Sequence, residues 1–428
     1  MTAFVLFGVM LTLFALSVPI PFSLGLAGTA ALMTMPRVSL EVIVQRMFFG
    51  LDSFLILSVP LFLLLGELME ASRITDRLVA FAQALVGRLQ GGLGHVSIVT
   101  NMLMAGISGS GTADAAATGV VLIPAMVKAG YSAPFAAALL GAAATIGPII
   151  PPSVIMIVYA SISGVSIARM FVGGVIPGLI MGICLMTITA MAARRQQLPA
   201  GQWLGPMHLL RSTLRASLVL VMPLIIVGGI LGGVFTATES SAIGCLYSLL
   251  IAVPVYRALG FRDLAGVFRR AALTTGKVMF VLATVSVFSW ILARAGISAQ
   301  LARLPVFGEG SPPWLILLAL NVILLVLGCL MEAIAILLIM TPMILPIAIR
   351  AGIDPVHLGV LISLNLSIGL ITPPFGSIMF VVCGISRCSI AEFTREVVPF
   401  VALLLVSLGL VTYIPGLVLF LPAWLLGP

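Results

Sequence analysis

The segment "GISGSGTADAAATG", residues 106 to 119, crowds eight Gly, Ser and Thr residues and one aspartate between two long apolar stretches. The chemistry open to such a set is coordination. Its glycines let backbone carbonyls turn toward a bound ion, and Ser108, Ser110 and Thr112 add hydroxyl oxygens. "ATIGPIIPPS" (144 to 153) and "LSIGLITPPF" (366 to 375) offer oxygen by another route. Prolines remove donors and break the helical ladder, which frees carbonyls, and Thr145 and Thr372 contribute side-chain oxygens. Hard oxygens collected in this way suit a dehydrated Na+. A fourth stretch, "GCLMEA" (328 to 333), keeps the glycine but carries Glu332 in place of hydroxyls. Nucleophilic catalysis is the competing chemistry, since Gly106-Ile107-Ser108-Gly109 matches a G-x-S-G pattern of serine proteases. It needs a histidine base within hydrogen-bond reach of the serine. His208 falls in a polar central loop and His357 near a membrane face, so neither is expected on a buried helix opposite Ser108.

Composition dictates the elements that must hold these residues. Of the 428 residues, 61% are apolar and 8% charged, and the mean hydropathy is +1.28. Apolar runs long enough to cross a bilayer recur from Phe4 almost to Leu426, which predicts an all-α polytopic membrane protein. A barrel would show short alternating strands, and the sequence has none. "MTAFVLFGVM" lacks the basic region and cleavage site of a signal peptide and reads as a retained first helix. The net charge of +8 comes from basic residues scattered as loop anchors, which speaks for a lipid bilayer and against nucleic acid. The five cysteines have no metal-ligand spacing with the three histidines and read as packing residues.

Shifting the chain by 222 residues superposes its punctuation. Gly106 falls on Gly328, Pro124 on Pro346, Gly147 on Gly369, Pro151-Pro152 on Pro373-Pro374, and Pro177 on Pro399. The chain therefore reads as a duplication with units at 51–193 and 272–421, preceded by scaffold helices over 1–50 and separated by a helical hairpin and connector over 194–271. Residues 216 to 256 hold one charge, Glu239, and suffice for two helices joined near "GGVFTATES". Arg194, Arg195, Arg211 and Arg215 flank that stretch on one side; Arg257, Arg262, Arg269, Arg270 and Lys277 flank it on the other. Both flanks are thus expected in the cytoplasm.

Unit one is predicted to contain a helix at 53–70, a re-entrant hairpin at 93–129, a broken helix at 133–160 and a helix at 171–192. Unit two repeats this with a hairpin at 313–349, a broken helix at 355–385 and a final helix. A hairpin returns to its own side, so each unit makes an odd number of crossings and the two lie inverted in the membrane. Arg73, Arg77, Arg88 and Lys128 then face the cytoplasm, while Arg37, Arg169, Arg294, Arg303 and Arg350 fall outside. Inverted repeats are an architecture of secondary transporters.

The legs of the first hairpin, about 93–107 and 113–127, each cover roughly 22 Å, short of the ~30 Å hydrocarbon core. Non-helical backbone persists at that depth only where it lines a cavity or is buried in protein. The N–H groups that open the second leg favour an anion in that cavity. The plainer alternatives are a tight helix contact through small residues, with Ser110 or Thr112 as N-cap, and a proline kink that matters for packing alone. Asp114, in the first turn of a leg, reads as a cap; Glu332, at a tip, reads as functional. Glu67, Glu70 and Asp76 read as a solvated cluster linked to Arg73 and Arg77. His95, His208 and His357 are placed near interfaces or loops, without a role. "RITDRLVAFAQALVGRL" (73 to 89) reads as an interfacial arm helix or an ordinary connector.

With two tips and two breaks in place, the sequence resembles the large membrane subunit of tripartite ATP-independent periplasmic (TRAP) transporters nearly end to end, through "SGSGTADAAATG", "ATIGPIIPPS", "GCLMEA" and "GLITPPFGS". The resemblance implies an elevator-type fold of the ion-transporter superfamily, with a scaffold and a mobile transport domain. It implies Na+-driven uptake of a small organic anion across the bacterial inner membrane. A periplasmic substrate-binding protein would deliver that anion, and a small four-helix membrane subunit would complete the complex. Carried onto this chain, one Na+ site falls on Ser108, Gly109, Ser110, Thr145 and Gly147, and a second on Gly328, Met331, Gly369 and Thr372. A substrate between the tips would meet Ser110, Gly111, Thr112, Pro152, Ser153, Glu332 and Pro374. No small-subunit helices are fused at the N-terminus, so that subunit is expected as a separate chain. A stand-alone dicarboxylate/Na+ symporter or antiporter of similar fold, and a passive channel, are the rival transport readings.

Overall fold

The computed structural model describes the chain except residues 1, 37, 73, 202–204, 298, 299, 301–303, 309 and 428. Arg37, Arg73 and Arg303 of the charge argument lie outside the described residues. Helices α1 (Thr2–Ala15), α2 (Ile20–Met33), α3 (Glu41–Leu51), α4 (Ser58–Ala71) and α5 (Ile74–Val86) open the chain. A hairpin of α6 (Gly92–Ser108) and α7 (Gly111–Lys128) follows, then α8 (Ala133–Ala144), α9 (Val154–Ser163) and α10 (Ile167–Arg195). α11 (Pro206–Leu231) and α12 (Ala237–Leu250), the latter running into a π turn over Ile251–Val255, occupy the centre, and α13 (Phe261–Arg294) leads out of it. A second hairpin of α14 (Pro313–Gly328) and α15 (Ala333–Arg350) precedes α16 (Pro355–Gly369), α17 (Ser377–Ser386), α18 (Ile390–Tyr413) and α19 (Gly416–Leu426).

Six helices among the described residues are long and apolar enough to cross a membrane. Large apolar side chains stand exposed around the periphery, Phe4, Leu224 and Trp424 at 84%, 70% and 72%, a surface that only lipid or a protein partner satisfies. The polypeptide is a multi-pass membrane protein.

Local chemistry explains where the elements stop. Gly109 takes a left-handed φ of 62° and ends α6, Ser110 is extended, and α7 begins at Gly111. The turn is therefore two residues long, and the hairpin legs run 17 and 18 residues, longer than the sequence pattern suggests. At 1.5 Å per residue they reach roughly 26 Å, still short of a full crossing. α8 ends before Pro148, and α9 resumes only after Pro151 and Pro152, where Ser153 caps it by accepting from the Met156 N–H at 3.3 Å. In the second unit α16 and α17 are parted in the same way by Pro373 and Pro374. Both double prolines contain a cis peptide bond.

The packing of the two units is reciprocal. α15 repeats α7 at a spacing of 222 residues at both ends, and α17 repeats α9 to within a residue. α7 packs against α17, and α15 against α9. α8 packs against α18, and α16 against α10. Exchange of this kind, in which i meets j and the copy of j meets the copy of i, is what a two-fold relation produces. Around this body stand α13, which contacts α2, α3 and α4, and α12, which contacts α4 and α11.

A buried amide network ties hairpin two to its neighbours. Asn365 Nδ2 donates to the Asn321 backbone and side-chain oxygens at 3.0 Å each, and Asn321 Nδ2 donates to the Thr412 hydroxyl at 2.9 Å. Asn321→Leu leaves the buried Asn365 amide short of a partner. It is expected to cost about 1–3 kcal/mol, read as a lower thermal midpoint in detergent.

The structure adds to the sequence reading at four charged or titratable positions. Glu67 pairs with Arg270 at 2.8 Å, a partner 203 residues away that local spacing does not reveal. His95 and His357, each in the first turn of a helix, are buried, and a His357 ring nitrogen sits 2.8 Å from the Val411 carbonyl. Glu239, which had no assigned role, closes a capping box with Thr236 at the start of α12.

Candidate ion and substrate site

The first tip meets the first break. A methyl on Gly109 would strike the Pro152 carbonyl, so glycine is required there both for space and for its left-handed backbone. A methyl on Gly147 would lie 2.6 Å from Asp114 Oδ2 and 3.0 Å from the Gly111 nitrogen; one on Gly111 would lie 2.6 Å from the Ala144 carbonyl. Ser108 Oγ donates to Asp114 Oδ1 at 2.5 Å and accepts from the Ser110 N–H at 3.2 Å. The Ser110 and Thr112 hydroxyls are 3.1 Å apart. Thr145 Oγ1 donates to the Ala142 carbonyl at 2.7 Å, which leaves its lone pairs free, and Ser153 Oγ donates to the Pro148 carbonyl at 2.5 Å.

Asp114 is not a cap. The cap position of α7 is Ser110, whose side chain makes no capping bond. The Asp114 side chain is fully buried, and Oδ2 has no hydrogen-bond partner among the described residues. Burying a carboxylate oxygen without a partner is costly unless a cation compensates it. Among the described residues the carbonyls of Gly147, Ile149, Ile150, Pro151 and Pro152 accept no backbone hydrogen bond. A buried carboxylate beside free carbonyls and hydroxyls is a hard, all-oxygen donor set, which fits an alkali cation. It does not fit the protease: the partner of the Ser108 hydroxyl is a carboxylate, the His357 ring is taken by the Val411 carbonyl, and His208 is exposed.

The second tip meets the second break, with different chemistry. A methyl on Gly369 would lie 2.8 Å from the Gly328 carbonyl, and the Phe375 N–H donates to the Cys329 carbonyl at 3.2 Å. The carbonyls of Gly328, Met331 and Thr372 accept no backbone bond among the described residues. Thr372 Oγ1 donates to the Ile368 carbonyl at 2.8 Å. Glu332 caps α15, accepting from the Ala335 N–H at 3.3 Å, and so occupies the place that Ser110 holds in the first unit.

The sequence profile of the family described as "Tripartite ATP-independent periplasmic transporter, DctM component" matches residues 7–417. The chain belongs to that family. It is 38% identical over 403 residues to the C4-dicarboxylate TRAP transporter large permease protein DctM of Pseudomonas aeruginosa, covering 94% of each chain. It is 37% identical to the sialic acid TRAP transporter large permease protein SiaM of Vibrio cholerae, covering 99% of this chain and 98% of that one. In fold it is similar to the YdaH transporter of Alcanivorax borkumensis, with a TM-score of 0.60 at 16% identity over 90% of this chain and 89% of that one. These relatives are transporters, and this TRAP permease is not an enzyme.

The structure also brings residues to the permease site that the sequence pattern did not single out. A cavity of about 300 Å3 lies beside the second tip, lined by Gly328, Met331, Glu332 and Gly369 and, from the end of α1 and the turn after it, by Phe14 and Ser17. Nothing in the 222-residue repeat marks Phe14 or Ser17, because they precede both units. Of the residues assigned to substrate, Ser110, Gly111, Thr112, Pro152 and Ser153 gather at the first tip and break. Glu332 borders the cavity at the second tip, and Pro374, exposed, lies in the second break.

Proposed function

We propose that this permease drives uptake of a small organic anion across the bacterial inner membrane on a sodium gradient. One Na+ binds where Ser108, Gly109, Ser110, Thr145 and Gly147 surround Asp114, and a second among Gly328, Met331, Gly369 and Thr372. The observation that carries the reading is the double meeting of tip and break, Gly109 against Pro152 and Gly328 against Gly369. When bound, Na+ supplies positive charge that holds the uncoiled segments together. The chain's own part is to present carbonyl and hydroxyl oxygens in place of water and to aim Asp114 at the Gly147 turn. The substrate carboxylate then meets the first turn of α7, where the unbonded N–H groups of the helix start favour negative charge.

The two units lie inverted about the membrane plane, and the body they form moves as one elevator against the α2–α4 and α11–α13 scaffold. The named relatives carry C4-dicarboxylates and sialic acid, both small organic acids, which supports that substrate class here. A periplasmic binding protein delivers the anion, and a small four-helix membrane subunit completes the assembly.

The test is uptake into proteoliposomes holding permease, small subunit and binding protein under an imposed sodium gradient. Uphill accumulation is expected; its failure overturns the reading. Ser110→Ala and Thr372→Ala are each expected to raise the sodium needed for half-maximal uptake about two- to tenfold, with unchanged membrane abundance. Sodium dependence indistinguishable from wild type would refute the two site assignments.

A further inference from the structure

A second cavity, lined by charged and polar residues among others, lies outside both tips. It has a volume of about 540 Å3 and lies between the end of α4, α5, α11 and the residues after the π turn. Arg77, Arg215, Tyr256, Ser72 and Asp76 line it. The Arg77 guanidinium lies 3.5 Å above the centre of the Tyr256 ring, and its Nη1 donates to the Arg215 carbonyl at 3.4 Å. Tyr256 Oη donates to that same carbonyl at 3.5 Å. Among the described residues no carboxylate lies within 4.0 Å of the Arg77 or Arg215 nitrogens. Arginine has five N–H donors in a fixed fork; stacking on Tyr256 holds this fork still, and the bond to the Arg215 carbonyl uses one of them. A pre-positioned guanidinium with open donors beside a second arginine is suited to a phosphate oxygen.

The surroundings narrow the ligand further. Leu214, Leu218 and Val221 are exposed at 65%, 38% and 39% and follow one another along a face of α11 beside Arg215. Val255, next to Tyr256, is exposed at 56%. A basic cavity bordered by a bare apolar strip matches a molecule with a charged head and hydrocarbon tails. The exposed Asp76 carboxylate in the lining would repel a bare phosphate but accepts a hydrogen bond from an ammonium or hydroxyl. We infer that this cavity binds the phosphodiester of a membrane lipid whose headgroup carries a hydrogen-bond donor. Arg77 and Arg215 hold the phosphate, and Asp76 holds the donor. Bound there, the lipid bridges the arm helix α5 to α11 and fastens both to the membrane surface.

The experiment is native mass spectrometry of the delipidated full-length permease, titrated separately with phosphatidylglycerol, phosphatidylethanolamine and phosphatidylcholine. The first two are expected to occupy one site about five- to tenfold more tightly than phosphatidylcholine, whose quaternary ammonium has no N–H. Arg77→Gln is expected to lose that site. Arg215→Gln, an exposed position that folding tolerates, is expected to weaken it by a similar factor and serves if Arg77→Gln fails to fold. Asp76→Asn is expected to bring the three lipids closer together. Arginine variants that bind lipid as wild type does overturn the proposal, and so does an unchanged affinity ratio between phosphatidylethanolamine and phosphatidylcholine in Asp76→Asn. Displacement of the lipid by millimolar inorganic phosphate alone would show a soluble-anion site instead and also overturn it.

Discussion

Asp114→Asn is expected to raise the sodium concentration for half-maximal uptake by about 10- to 100-fold, more than Ser110→Ala does at the same tip. The two side chains have the same shape, and the amide oxygen still accepts the Ser108 hydrogen bond. What changes is the other atom. Oδ2, which has no hydrogen-bond partner among the described residues and faces Gly147, becomes an NH2 group that points hydrogens at the Gly147 turn. A cation there loses a negative ligand and gains a repulsive donor in a site without water to screen either. Membrane abundance is expected to hold, because burying a neutral amide costs less than burying a lone carboxylate. Isothermal sodium titration of the purified permease separates binding from turnover. An unchanged sodium affinity would sink the assignment of Asp114 to the ion.

Gly109→Ala is expected to reduce uptake by about 100-fold or more, whereas Gly130→Ala leaves most of it. Both glycines have positive φ, 62° and 95°, so both alanines meet the same left-handed penalty of roughly 1–2 kcal/mol. Only at Gly109 does the new methyl collide with another backbone, the Pro152 carbonyl; at Gly130 nothing lies within 4 Å. The pair thus separates local strain from loss of the junction between tip and break. Gly130→Ala should lower the thermal midpoint slightly and Gly109→Ala by more, since it adds the clash to the shared strain, and uptake should collapse only in Gly109→Ala. Equal uptake in the two variants would mean that the junction does not matter for transport.

How far the fold could be read in advance depended on which residues carry backbone geometry. Gly109 at the first tip, and Pro151 and Pro152 with their counterparts Pro373 and Pro374 222 residues later, constrain the chain by their own covalent structure, so their positions announced a hairpin turn and two breaks directly. Side-chain orientation was another matter. A carboxylate in the first turn of a helix serves equally as a cap or as a ligand, and only the burial of Asp114 and its bond to Ser108 distinguish the two. The partner of Glu67 lies on another helix, beyond any local spacing rule. Phe14 and Ser17 join the cavity through a tertiary contact of segments that share no repeat. Leg lengths were underestimated because Ser108 and Thr112 look like loop by composition, yet tertiary packing keeps them helical.

The exchange of α7 with α17 and α9 with α15 has a consequence for biogenesis. The ribosome finishes α7 about 250 residues before α17 begins, so the first hairpin enters the bilayer with a flank that has no neighbour yet. Something must shelter that flank in the interim, whether lipid, the insertion machinery or an early non-native partner. The two copies can mature only jointly, and a polypeptide cut between them should leave two fragments that each await the other.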